Sequence, residues 1–363
     1  MFNSQSYGKW QRMLKQLIPD KCQSRLSNLV LLLVGIFESK SVYLSVIARK
    51  IPIRAKKLSV AKRLERFMDN AGVDVVQWYH PWASWLIQSA SSGGTVHLVI
   101  DSTKVTASHR QVMVAVAYQR RTLPLLWDWV SHARGHCTTQ LQIDLLRRVQ
   151  SLISTGVQVS LVGDGEFNHP LLIEELAFWG WDYALRQKGN TLIMQGHDGQ
   201  WKRLDSFNLQ PGQMLWFGKV LLTQASPYPT NVVLHWKRGE KEPWYLATNQ
   251  LSGRPALRLY NRRMWIEAMF GDMKGHGFDL ELSRLRTPER LSRLTLAVCI
   301  LYVWLVTLGE HVLTMGFNSE VDRTNRQDLS IFRLGWDWLE RRLALHEPFP
   351  ILFRPNFCLV SGC

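Results

Sequence analysis

The chain lacks most of what marks a secreted, stapled or membrane-spanning protein. Its five cysteines, Cys22, Cys137, Cys299, Cys358 and Cys363, are odd in number and show no paired metal-ligand spacing. That argues against a disulfide framework and reads as free thiols in a reducing compartment. The opening residues, Met-Phe-Asn-Ser-Gln-Ser, contain no charged stretch leading into an apolar core, so no export is expected. No apolar run reaches the roughly 20 residues needed to cross a bilayer. The longest are Leu29 to Phe37 and Leu294 to Leu308, and the second, flanked by Arg290, Arg293, Glu310 and His311, is expected to be a buried core helix. Internal repeats and low-complexity tracts are missing as well.

Acidic residues are also in short supply. Lysine and arginine number 44 against 29 aspartate and glutamate, and the resulting +15 is spread along the chain. A polyanionic partner is the first reading. An anionic membrane surface would call for a basic amphipathic helix or a lipid signal, and neither stands out. A length of 363 residues fits about two domains, or one with a sizeable insertion.

From Ser6 to about Ser91 the pattern is helical, with Leu26, Leu29, Val30, Leu33 and Phe37 at three- and four-residue spacing. Ser41 to Asn70 reads as a short helix, a turn around Pro52 and a second helix from near Ser59, with Arg49, Lys50, Arg54, Lys56, Lys57, Lys62, Arg63 and Arg66 at exposed positions. The second helix could enter a DNA groove, as in helix-turn-helix proteins, or form the solvated face of a bundle; the turn lacks the glycine that would make the motif specific.

The texture changes after the linker-like Ser91-Ser92-Gly93-Gly94. Val96 to Ile100 reads as a buried strand ending at Asp101. Strands follow at Val112 to Tyr118 and Leu123 to Val130, then a helix from about Thr139 to Ile153. A strand from Val157 to Val162, ending at Asp164, and a helix from about His169 to Trp179 complete a mixed α/β pattern. Short alternating strands at Thr191 to Met194, Leu215 to Leu222, Asn231 to Trp236 and Trp244 to Thr248 read as an all-β insertion. From Pro255 the pattern is helical again.

Asp101 and Asp164 both sit at ends of apolar strands, in Val-Ile-Asp101-Ser-Thr and Val-Gly-Asp164-Gly-Glu, where open α/β sheets place their functional crevice. Two carboxylates converging there need a cation, and hard oxygen donors suit magnesium or manganese. Either aspartate alone could equally be a turn former. A third acid lies in the run from Tyr260 to Lys274. On one continuous helix, Tyr260, Arg263, Glu267 and Lys274 would share a face, opposite the apolar Trp265, Ile266, Met269, Phe270 and Met273. An ordinary stripe of helical ion pairs is the simpler account of the polar face. The strongly apolar opposite side favours a site.

Tyr, two residues, Arg, three residues, Glu, six residues, Lys is the signature of the DDE transposases of the insertion-sequence-four type, which the chain resembles from about Val96 to Leu308. Ile100-Asp101-Ser102-Thr103, Gly163-Asp164 with Glu166-Phe167, Trp181 to Arg186 and Gly277-Phe278-Asp279-Leu280-Glu281 agree; Gly165, where many relatives carry arginine, departs. The resemblance implies a ribonuclease H-like mixed-sheet core with a β insertion, preceded by an N-terminal helical DNA-binding region and followed by C-terminal helices. The expected division is 1–92 helical, 93–190 first part of the core, 191–250 insertion, 251–312 rest of the core and 313–363 helical tail.

By the same resemblance, Asp101, Asp164 and Glu267 would hold two Mg2+ or Mn2+ ions and catalyse cut-and-paste transposition. Tyr260, Arg263 and Lys274 would grip phosphates near the cleaved end. Trp244 would stack a flipped base, or else be a core tryptophan of a strand. The partners would be double-stranded DNA, as transposon terminal repeats and target, and a second copy of the chain, in the cytoplasm at the nucleoid. A nuclease without strand transfer and a silent DNA-binding regulator are the alternatives. His132, His136 and Cys137 lack a fourth zinc ligand. Glu166 and Asp272 are rival acids that the strand end and the signature disfavour. Asp128 is expected only to pair with Arg120 and Arg121.

Overall fold

Apolar residues at helical spacing build five N-terminal helices in the computed structural model: α1 (Ser4–Leu17), α2 (Gln23–Ser39), α3 (Leu44–Lys50), α4 (Lys57–Met68) and α5 (Val75–Ser91). The structure describes residues 4–20, 22–51, 53–131, 137–196, 199–323 and 328–357. The turn residue Pro52, His132, His136, Cys358 and Cys363 lie outside the described residues. The two helices expected between Ser41 and Asn70 are α3 and α4.

Strands β1 (Thr95–Lys104), β2 (Arg110–Tyr118) and β3 (Arg121–Val130) form an antiparallel meander. Helix α6 (Thr139–Gln150) leads to β4 (Gln158–Gly163), and α7 (Pro170–Phe178) leads to β5 (Asp182–Arg186). Both return strands pair parallel, β4 on β1 and β5 on β4, as strands joined through a helix do. The expected mixed α/β core is present, with β5 added to the strands read from the pattern.

Next come β6 (Leu192–Met194), β7 (Trp201–Arg203), β8 (Met214–Leu222), β9 (Tyr228–His235) and β10 (Trp244–Thr248). β10 pairs antiparallel with β5, giving one ten-stranded sheet in the order β3-β2-β1-β4-β5-β10-β9-β8-β6-β7. The strands between 191 and 250 therefore prolong the core sheet, so the β texture there is one edge of a single sheet. β2 and β3 are buried over most of their length, and β1 is continuously buried from Leu98 to Asp101, as strand segments covered on both faces are.

The remaining helices are α8 (Gly253–Tyr260), α9 (Trp265–Met273), α10 (Pro288–Thr314) and α11 (Ile331–Ala344). α10 starts at a Thr287 cap followed by Pro288, a strong helix-start signal. Its 27 residues are long and apolar enough to cross a membrane, although the apolar run alone looked too short; 89% of its most apolar window is buried inside the protein. It is the core helix expected from its flanking charges. α11 crosses it at two glycines: a Cβ on Gly309 would lie 1.8 Å from the Ile331 carbonyl oxygen, and one on Gly335 2.0 Å from that of Leu305. The N-terminal helices are tied to the same scaffold. Arg290 donates to both Asp69 oxygens at 2.5 and 2.7 Å, and Arg293 to the Met68 carbonyl at 2.7 Å.

Candidate active site

Asp101 lies within β1, three residues before its end, and is 4% exposed. Burial pushes its carboxyl up, Arg263 pulls it down and Asp164 raises it again, leaving it at about 7. Its Oδ1 accepts the Ser102 amide at 2.7 Å. Asp164 follows Gly163, the residue of β4 paired with Ile100, so the parallel register sets the two acids side by side. Its Oδ1 accepts the Glu166 amide at 2.9 Å, which leaves Oδ2 for another partner.

The third acid arrives on a segment that departs from the expected single helix. α8 ends at Tyr260, a 3-10 turn spans Asn261–Met264, and α9 begins at Trp265. Arg263 sits in that turn and Glu267 in the first turn of α9, an i, i+4 pair in which Arg263 Nη1 donates to Glu267 Oε1. The other terminal nitrogen, Nη2, lies 3.1 Å from Asp101 Oδ2 and 3.8 Å from Asp164 Oδ2. One guanidinium, only 16% exposed, thus meets three carboxylates from three elements. Burial opposes its charge, but the surrounding acids outweigh that and raise its pKa.

Ion pairing holds the acids around Arg263, and no group of three His, Cys, Asp or Glu among the described residues is gathered closely enough to hold a metal ion. The donor set nevertheless fits one. It offers only hard carboxylate oxygens, and three acids against one arginine leave an excess of negative charge.

Tyr260 is 2% exposed, and burial raises its hydroxyl to about 12 among Arg186, Arg263, Asp164 and Asp101. Its ring meets Trp244 edge-on, centroids 5.1 Å apart at 70°. Trp244 is half-buried at the start of β10. Lys274 does not share the acids' face: it lies just beyond α9 with non-helical dihedrals. Its Nζ donates to the Lys104 carbonyl at 2.6 Å and lies 3.1 Å from Glu281, so the four signature residues divide between the acid cluster and the end of β1.

The rival acids have other partners. Glu166 accepts from the Ser102 hydroxyl at 2.5 Å, the Cys137 amide at 2.8 Å and Arg110 at 3.3 Å; burial works against the charge, but these donors lower its pKa. Asp272 is buried against Arg121. Asp128 pairs with Arg148, which corrects the expected pairing with Arg120 and Arg121: Arg121 is already taken by Asp272.

On α4, Lys62 and Arg66 are exposed, as is Arg54 before it. Arg63 instead points inward and donates to Asn28 Oδ1 at 2.5 Å, which sets it apart from its exposed neighbours. Arg254 and Arg258, one turn apart and exposed on α8, add cations on the helix that leads into the acid cluster. Their four-residue spacing is the signal in the sequence that marks them.

Residues 92–304, more than half of the chain, match the family model described as Transposase DDE domain. No curated protein matches. Among solved structures the chain is similar to a piggyBac transposase synaptic complex with hairpin DNA, at 9% identity and TM-score 0.44, covering 98% of this chain and 81% of that one. It is also similar to the Marinitoga piezophila Argonaute in complex with 5′ OH guide RNA and target DNA, at 8% identity and TM-score 0.24, covering 68% and 37%. The matched segment runs from the end of α5 through the core sheet, the three acids and most of α10, and on that sequence match the chain belongs to the DDE-domain transposases.

Proposed function

We propose that this transposase is of the insertion-sequence-four type and works by cut-and-paste, with Asp101, Asp164 and Glu267 as the acids that hold its divalent ions. The observation behind this reading is the convergence of those three carboxylates on Arg263. Two Mg2+ or Mn2+ ions would activate a water or a 3′ hydroxyl and stabilise the leaving oxygen of an in-line phosphoryl transfer.

The protein's own share is positional. Asp101 is fixed by strand pairing on both sides, in register with Met113 of β2 and with Ile100 aligned to Gly163 of β4, so it supplies the rigid member of the set. Glu267, on an exposed helix turn, is the member that can adjust. Tyr260, Arg263 and Lys274 supply a phenol and two cations for the DNA backbone, and Trp244 supplies an aromatic face beside Tyr260. Lys62, Arg66, Arg54, Arg254 and Arg258 add exposed positive charge for duplex DNA. Two transposon ends must be brought together, so this reading includes a dimer on DNA.

The test is cleavage of DNA bearing the element's own ends, with Mg2+ or Mn2+, followed by a joining assay with a 3′ hydroxyl end and a target plasmid. Cutting and joining are expected. Cutting without any joined product would replace strand transfer by simple hydrolysis, and binding without metal-dependent cutting would leave only a regulator.

A further inference from the structure

Arg263 stands where an ion shared by the three acids would have to be. Nη2 reaches Asp101 at 3.1 Å and Asp164 at 3.8 Å, while Nη1 reaches Glu267. Little else holds it. Among the described residues its Nε is buried with no hydrogen-bond partner, and its one other polar contact is a 3.5 Å approach to Met264 Sδ. Arg293, whose Nε is likewise unpartnered among the described residues, is by contrast anchored through Nη1 to a backbone carbonyl. The cluster also has an open side, since the Glu267 side chain is 50% exposed and that of Asp164 33%.

We propose that Arg263 is an exchangeable counter-ion: it offsets part of the acids' charge in the metal-free chain, and divalent ions load only as its guanidinium leaves them. This rests on the reading of the three acids as ion ligands given above. Charge favours the exchange. Three carboxylates with one arginine carry about two negative charges; with two divalent ions and no arginine they carry about one positive charge, which one phosphodiester neutralises. A guanidinium left among the ions would face like charge at short range in a partly buried site. Arginine and metal therefore compete for one set of oxygens, and the released arginine becomes available to a phosphate. Competition lowers the apparent metal affinity by the fraction of chains in which Arg263 is seated, so removing the competitor tightens binding.

The test is Mn2+ titration of the full chain without DNA, by calorimetry, for wild type, Arg263→Gln and Arg263→Gln with Asp101→Asn. Arg263→Gln is expected to bind Mn2+ about tenfold more tightly than wild type, within the usual range for coupled sites, and the double variant to lose that gain. Unchanged or weaker binding in Arg263→Gln that still depends on Asp101 would overturn the counter-ion while sparing the acid site. Binding indifferent to Asp101→Asn would overturn the site, and the inference with it. Should the unneutralised acids loosen the variant, thermal melts decide: Mn2+ is expected to raise the melting temperature of Arg263→Gln more than that of wild type, and an equal or smaller rise overturns the proposal.

Discussion

Glu166 and Asp164 stand two residues apart after β4, yet their carboxylates live in opposite settings. Glu166 receives a hydroxyl, a backbone amide and an arginine, and its side chain is 5% exposed. Asp164 shares a single arginine with Asp101 and Glu267. The first cluster gives one carboxylate three donors. The second has a surplus of acceptors, three carboxylates under a single arginine. Buried ion pairs that build a fold come satisfied, whereas a cluster of like charge under one counter-ion is an arrangement a folded chain keeps for a ligand.

That contrast is most sharply broken by Asp101→Asn or Asp164→Asn. Each should lower DNA cleavage on the order of 10³-fold or more, as expected for a group acting on the transition state, while circular dichroism and melting stay near wild type. Glu166→Ala and Asp272→Ala should do the reverse. Each strips a buried partner from an arginine and should cost about 3 kcal/mol of stability, read as an earlier denaturant midpoint, with cleavage per folded molecule close to wild type. If Glu166→Ala leaves stability intact and removes cleavage, the two clusters have been assigned the wrong way round.

A smaller effect separates the basic residues of α4. Lys62→Ala and Arg66→Ala should each lower the salt-dependence slope of duplex binding by about one and leave unfolding unchanged. Arg63→Ala should also lose its bond to Asn28, at about 1 kcal/mol of stability. Unaltered DNA binding in the first two would make α4 the solvated face of the helical bundle.

Much of this was legible in the chain. The apolar runs of β1 to β4 are buried strands; Asp164 stands out where β4 stops, whereas Asp101, expected at a strand end, interrupts the apolar run of β1, a strand that continues to Lys104. The long run from Leu294 reads as core for the same reason: little in it suits water. Other features were hidden. β5 is five residues with charge at both ends and β7 is three residues, too short for a period to register. The 3-10 turn at Asn261–Met264 has no glycine or proline to announce it, and α9 stops at Met273, so counting along a continuous helix misplaced Lys274. The seat of Arg263 joins residues 162 apart in sequence, a relation no local pattern encodes. The sheet continuity through β10 and β5 was equally remote, because pairing partners are set by the folded register.

The most direct test of the three-acid site uses Glu267, whose half-exposed side chain contributes least to the core. Glu267→Gln and wild type are compared for Mn2+-dependent nicking of DNA carrying the element's own ends, at concentrations where both bind that DNA. The account predicts that wild type nicks and the variant binds without nicking. Nicking by Glu267→Gln at the wild-type rate would contradict it.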